Sequence, residues 1–192
     1  MSRWPSKEVM QERILATADR LFNGEGIRAV GVDKIAAEIG ISKRTLYNYY
    51  ASKEELVHAY LSRRYVPVRS SSRPPLEQIL HLFDWLERWF ASDNFRGCPF
   101  VNAVAELGTS AAQIACDFKE QRRVWMCELL TRVPVADPEG LSVQLAILIE
   151  GAIASALVRG DPKVARCAKA AAEVLLTAAG ARRDPESSSQ RV

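Results

Sequence analysis

Residues 35–47 read Ile35-Ala36-Ala37-Glu38-Ile39-Gly40-Ile41-Ser42-Lys43-Arg44-Thr45-Leu46-Tyr47, and three of them decide how the chain folds there. Ala36 is small enough to let two helices cross closely. Gly40, four residues on, can take the left-handed conformation that ends a helix in a tight turn. Leu46, six further, faces inward and locks a second helix against the first, with Ile35, Ile39 and Ile41 expected to fill the remaining core. Ser42 has the hydroxyl that caps the second helix, so Lys43, Arg44 and Thr45 project from its leading end. This is the logic of a helix-turn-helix, whose second helix puts that end into a major groove. A helical hairpin with a solvated basic face shares the spacing, so the pattern alone leaves both readings open.

The chemistry of the projecting residues fits nucleic acid. Lys43 and Arg44 can reach guanine edges or phosphates, and Thr45 offers a methyl and a hydroxyl to bases. Tyr47 and Tyr49 present phenolic donors to phosphate oxygens. Lys53 adds a cation at the start of the next helix. Residues 1–65 hold eleven Lys/Arg against eight Asp/Glu, whereas 66–192 hold fifteen of each. The whole net charge of +3 therefore sits in the first third, a modest electrostatic footprint for a polyanion partner.

Working outward, apolar residues recur at helical spacing nearly throughout, and no stretch alternates long enough for a strand. The fold class is all-α. Ser6 caps a first helix with Glu8 near its positive end, and its buried stripe is expected to be Val9, Ile14, Ala18, Leu21 and Phe22. A short helix follows from Val32 to Glu38, and another from Ser42 to Tyr50. Ser52 and Glu55 have capping-box spacing and open a fourth that runs past Tyr60. Residues 67–75, rich in Ser, Arg and Pro, read as a linker.

Beyond it come helices over about 74–92, up to Gly108, and from Ser110 to about Arg132. Asp137-Pro138 and Asp161-Pro162 each supply a capping Asp followed by Pro, which starts two more. That makes nine helices. The expected domains are 1–52, a three-helix unit carrying the helix-turn-helix; 53–181, a larger helical unit; and 182–192, a disordered tail.

Leu141 to Val158 is almost wholly apolar and near the length of a membrane span. Gln144 and Glu150 lie inside it, and a mid-span Glu is costly in hydrocarbon. The expectation is therefore no membrane but a homodimer through the last two helices, about 138–180, each burying one face in its own subunit and one against a partner. The first residues have no apolar core of a signal peptide, so the expected location is cytoplasmic. Cys98, Cys116, Cys127 and Cys167 are scattered, and only His58 and His81 accompany them. A structural zinc site or a disulfide framework is not expected, nor is a metal or cofactor of any kind.

The resemblance is more extended than the turn motif. The run G-I-S-K-R-T-L-Y-N-Y-Y-A-S-K-E-E-L, preceded by Gly26, Val32-Asp33-Lys34-Ile35-Ala36 and an amphipathic first helix, resembles the signature of TetR-family transcriptional regulators over Glu12 to Tyr60. The resemblance implies that Lys43, Arg44 and Thr45 face bases and that Tyr47, Tyr49 and Lys53 hold phosphates. There are two departures. Gly31 stands where family members often have a capping Ser or Thr that touches phosphate, and Tyr49-Tyr50 replaces the commoner His-Phe.

In that fold the later helices enclose an effector cavity. Phe95 to Glu106 resembles a motif at the start of the sixth helix in one branch of the family. Candidate effector-binding residues are the apolar Trp85, Trp89, Phe100, Phe118 and Trp125 and the polar Asn102, Glu106 and Glu150. Aromatic residues at helical spacing equally read as core, and Asn102 and Glu106, at i and i+4, can satisfy helix ends or each other.

The leading reading is a repressor released from a palindromic double-stranded DNA operator by a small-molecule effector. A thiol-sensing regulator is the alternative, because Cys98 precedes a helix N-terminus where a thiolate is stabilised. From another class stands a non-catalytic helical protein that binds a small molecule. An enzyme is not expected: there is no G-x-S-x-G, phosphate-binding glycine loop, H-E-x-x-H or Ser/His/Asp set.

Overall fold

The computed structural model describes residues 6–64 and 71–181; the expected tail and residues 67–70 of the expected linker lie outside them. The described residues form nine helices and no strand: α1 (Lys7–Glu25), α2 (Val32–Ile39), α3 (Lys43–Tyr47), α4 (Lys53–Arg64), α5 (Pro75–Phe90), α6 (Pro99–Leu107), α7 (Thr109–Leu130), α8 (Pro138–Arg159) and α9 (Val164–Ala178). Packing gathers the described residues into two units, one made of 6–64 with 98–118, the other of 71–97 with 119–181. This grouping by packing puts α4, α6 and the start of α7 with α1–α3, whereas the expected functional boundary lies at 52/53.

In the first unit, α1 begins where the Ser6 hydroxyl accepts from the Val9 amide at 3.4 Å. Its buried face is Met10, Ile14, Ala18, Leu21 and Phe22. Val9, expected in that stripe, is 51% exposed, and Met10 takes its place at 2%. Both positions fit a helical period. The longer, more adaptable Met side chain is the one that faces the interior.

α4 lies against α1. Phe22 and Tyr60 meet edge to face at 5.5 Å, Arg64 pairs with Asp19 at 2.6 Å in a half-buried contact, and Arg63 pairs with Glu12. The start of α4 uses both ends of the expected box: the Glu55 amide donates to the Ser52 hydroxyl at 3.0 Å. The Glu55 carboxylate accepts from the Ala51 amide at 2.6 Å, one residue earlier than in the usual box.

In the second unit, α5 packs on α8 and α9, and α8 on α9. Asp137 accepts from the Gly140 amide at 2.9 Å, with Pro138 in the first turn of α8. At the next start, Asp161 instead receives the Lys163 amide within a turn, and α9 begins at Val164. Asp84 and Glu87 of α5 pair with Lys169 and Arg166 of α9 at 2.6 and 2.7 Å.

α8 is long and apolar enough to cross a membrane by length and composition. Leu141, Leu145, Ile149, Ala152, Ile153 and Ala156 are buried, while Val143, Ile147, Leu157 and Val158 are exposed. α9 likewise buries Ala165, Ala168, Ala172 and Leu176 and exposes Val174 at 69%. The exposed residues 143, 147, 151, 154 and 158 of α8 and 167, 171, 174 and 178 of α9 each follow helical spacing. Each helix thus has a second apolar or small-residue stripe opposite its core face.

Candidate nucleic-acid interface

The turn between α2 and α3 is built as its residues dictate. Gly40 has φ 74° and ψ 34°, a conformation costly for a side chain with a β-carbon. Its amide donates to the Ala37 carbonyl at 3.1 Å, and the Ile41 amide donates to the Ala36 carbonyl at 3.0 Å. Together these are the two bonds of a Schellman motif, which satisfy carbonyls left open at the helix end. Ile35 and Leu46 are completely buried and Ala36 nearly so. Ile39 and Ile41, expected to share that core, are only half-buried, because the turn between them carries both towards the surface.

α3 starts on Ser42, whose hydroxyl oxygen accepts from the Thr45 amide at 3.0 Å and lies 2.8 Å from the Thr45 hydroxyl. The helix ends at Tyr47, three residues short of the expected Tyr50. Leu46 is its one buried side chain. Ser42, Lys43, Arg44 and Tyr47 are exposed, and Thr45 and Tyr49 are half-buried. Tyr50 is 4% exposed, and burial pushes its phenol upward, so it serves as core.

The cations of this face differ in what holds them. Lys43 donates to Asp33 at 2.9 Å, and that hydrogen bond holds its ammonium above the ordinary lysine range. Among the described residues, Arg44 forms no ion pair. Lys53 is half-buried at the start of α4, and partial desolvation lowers its ammonium, with the Glu106 carboxylate acting in the opposite direction. Gly31 precedes α2 with no side-chain cap.

Sequence spacing missed Asp33 as the partner of Lys43. Ten residues separate the two, and only the crossing of α2 and α3 brings them together.

The eight effector candidates divide evenly between the units. In the first, Phe100 and Phe118 stack at 4.1 Å with 11° between ring planes. Glu106 accepts from the Arg28 amide at 2.7 Å, and its carboxylate oxygens lie 3.3 Å from where a β-carbon on Gly26 would be. It therefore pins the α1–α2 loop. Asn102 is half-buried.

In the second unit, Trp85 and Trp89 stack at 5.3 Å, with Trp85 46% exposed, and Trp125 is half-buried. Glu150 is engaged by Lys119 and Arg122. The first unit's cavities, of about 330 and 380 Å³, and the second unit's, of about 270 Å³, are lined by other residues.

Residues 14–60 match the family model of bacterial regulatory proteins of the tetR family. An uncharacterized HTH-type transcriptional regulator of Mycobacterium tuberculosis is 34% identical over 85 residues, 44% of this chain and 41% of that protein. The HTH-type transcriptional repressor KstR2 of the same species is 36% identical over 77 residues, 36% of this chain and 38% of the repressor. The chain thus spans less than half the length of these curated relatives.

Two solved structures are similar over much more. SCO4454, a TetR-family regulator from Streptomyces coelicolor, superposes with a TM-score of 0.80 at 29% identity, over 88% of this chain and 95% of that one. A putative TetR transcriptional regulator from Streptomyces avermitilis does so at 0.78 and 28%, over 90% and 98%. The matching N-terminal model, the helix-turn-helix geometry and the likeness along nearly the whole fold agree: residues 14–60 are a tetR-family helix-turn-helix domain, and the chain as a whole is similar to TetR-family transcriptional regulators.

Proposed function

We propose that the chain is a cytoplasmic, non-catalytic repressor that binds a palindromic operator as a homodimer and is released by a small-molecule effector. One observation carries the reading. α3 is anchored through a fully buried Leu46 on a glycine turn, and its leading end presents Lys43 and Arg44 to solvent. Lys43, Arg44 and Thr45 then face base edges, while Tyr47, Tyr49 and Lys53 hold phosphates. The repressor sense is supported by the relative named as one.

The dimer reading rests on the second stripes of α8 and α9. A helix apolar all round in a water-soluble assembly must be covered on several sides, and Ile147 at 66% and Val174 at 69% exposure are the largest uncovered aliphatic groups at the middle of those stripes. Two such pairs pack as a four-helix interface. Residues 1–52 are proposed as the DNA-binding part and 53–181 as the part that dimerises and answers an effector.

Cys98 and Cys127 are poorly placed for thiol sensing, whereas Cys116 and Cys167 are exposed. Cys98 is buried. The Cys127 thiol donates to Glu139 at 3.2 Å and is pushed above the ordinary thiol range, chiefly by burial, which suppresses the reactive thiolate.

Selection of bound DNA from a random pool tests the proposal. A palindrome is expected, with half-site centres about 34–36 Å apart, one helical turn of DNA. Affinity should fall with salt at a log–log slope near −0.9 per phosphate contacted. A pool that enriches no sequence would sink the regulator reading in favour of a helical small-molecule binder, and an asymmetric site would sink the homodimer.

A further inference from the structure

The first unit holds a cavity of about 330 Å³ walled by the α1–α2 loop, one face of α4 and the corner where α6 meets α7. Ile27, Val57 and Leu61 form buried parts of its wall, and Leu107, Ala111 and Ile114 complete the apolar surface. A second cavity of about 380 Å³ shares His58, Ser110 and Ile114 with it and continues along α7 to Asp117. The volume lies at the lower end of the range for small-molecule sites, which pair mostly apolar walls with a few polar groups.

The charges on the first cavity are unbalanced. Two cations, Arg28 and Lys53, line it against a single carboxylate, Glu54, with the His58 ring beside them. Among the described residues neither Arg28 nor Lys53 forms an ion pair. The nearby carboxylate of Glu106 is held by the Arg28 amide. Lys53 is partly stripped of water, which lowers its ammonium, and an incoming anion offsets that cost. The same charge excludes organic cations, and the aliphatic wall gives nothing to a bare inorganic anion.

We propose that this cavity binds a small amphiphilic carboxylate, its chain on Val57, Leu61 and Ile114 and its carboxylate at the Lys53 side. Lys53 is also proposed to hold an operator phosphate. One ammonium cannot pair with both, so occupancy weakens operator binding. That consequence rests on the regulator reading and gives its effector a chemical class and a place; the binding itself does not depend on DNA.

Octanoate is the probe, titrated calorimetrically into the full chain without DNA, with octylammonium and inorganic phosphate as comparisons. Saturable binding of one octanoate per chain is expected, about tenfold weaker in Lys53→Gln and lost in Ser110→Trp, a change at an exposed position of the cavity rim. In the unmodified protein, octanoate should shift the methyl resonances of Val57, Leu61 and Ile114. The inference is overturned by no saturation at about 1 mM, by octylammonium or phosphate binding as tightly, or by methyl shifts confined to other residues. Octanoate binding by a chain that enriches no operator would break the regulator reading alone. Operator binding with no octanoate site would break this one alone.

Discussion

Lys43, at the leading end of α3, places its ammonium 2.9 Å from the carboxylate of Asp33 in the first turn of α2. Both side chains are at least half exposed, so water screens the pair and it contributes little to folding. Its effect falls on the interface instead. A cation proposed to meet DNA is already partnered, and an anion sits on the face proposed to approach phosphates.

Removing that anion should therefore strengthen binding. Asp33→Asn is expected to raise operator affinity by roughly two- to fivefold, the scale of an exposed ion pair, with a small loss of stability because Asp33 also favours the N-terminus of α2. Fluorescence anisotropy at fixed salt measures it. Unchanged or weaker affinity would show that Lys43 does not contact DNA.

Gly31 leaves α2 without a side-chain cap, at φ −80° and ψ 156°, and a β-carbon there meets nothing within 4 Å. Gly31→Ser should accordingly stabilise the protein by about 0.5 kcal/mol through capping and lower unfolded-state entropy. A rise in the thermal unfolding midpoint, with operator affinity maintained or raised, is the expected result.

Leu46 is wholly buried while its neighbours on α3 face out. Leu46→Ala should destabilise by about 2–5 kcal/mol, the transfer and cavity costs together, read from urea unfolding. A fully stable variant would mean that this side chain does not anchor the helix.

Base and phosphate contacts should separate by their selectivity. Tyr47→Phe removes one phenolic donor and should weaken every sequence alike, by about 1 kcal/mol. Arg44→Ala and Thr45→Val should instead change which bases are preferred, by about 1–3 kcal/mol at the affected position. Repeating the selection with each variant distinguishes them, and three indistinguishable profiles would remove the base-facing assignment.

What could be read from the residues in order was whatever a few neighbouring atoms settle. Ser6, Gly40, Ser42, Ser52 and Asp137 mark helix ends because a hydroxyl, a carboxylate or a missing β-carbon acts on amides within three or four residues. Those signals, with helical periodicity, were enough for nine helices and a helix-turn-helix. Tertiary packing decided the rest. It chose Met10 over Val9, left Ile39 and Ile41 half-buried, joined Lys43 to Asp33, and tied Glu106 to the α1–α2 loop and Glu150 to Lys119 and Arg122. The reason is one of range. A cap is a local hydrogen bond that its own segment specifies, whereas a side chain's partner across helices depends on their rotation and crossing, which many distant contacts determine jointly.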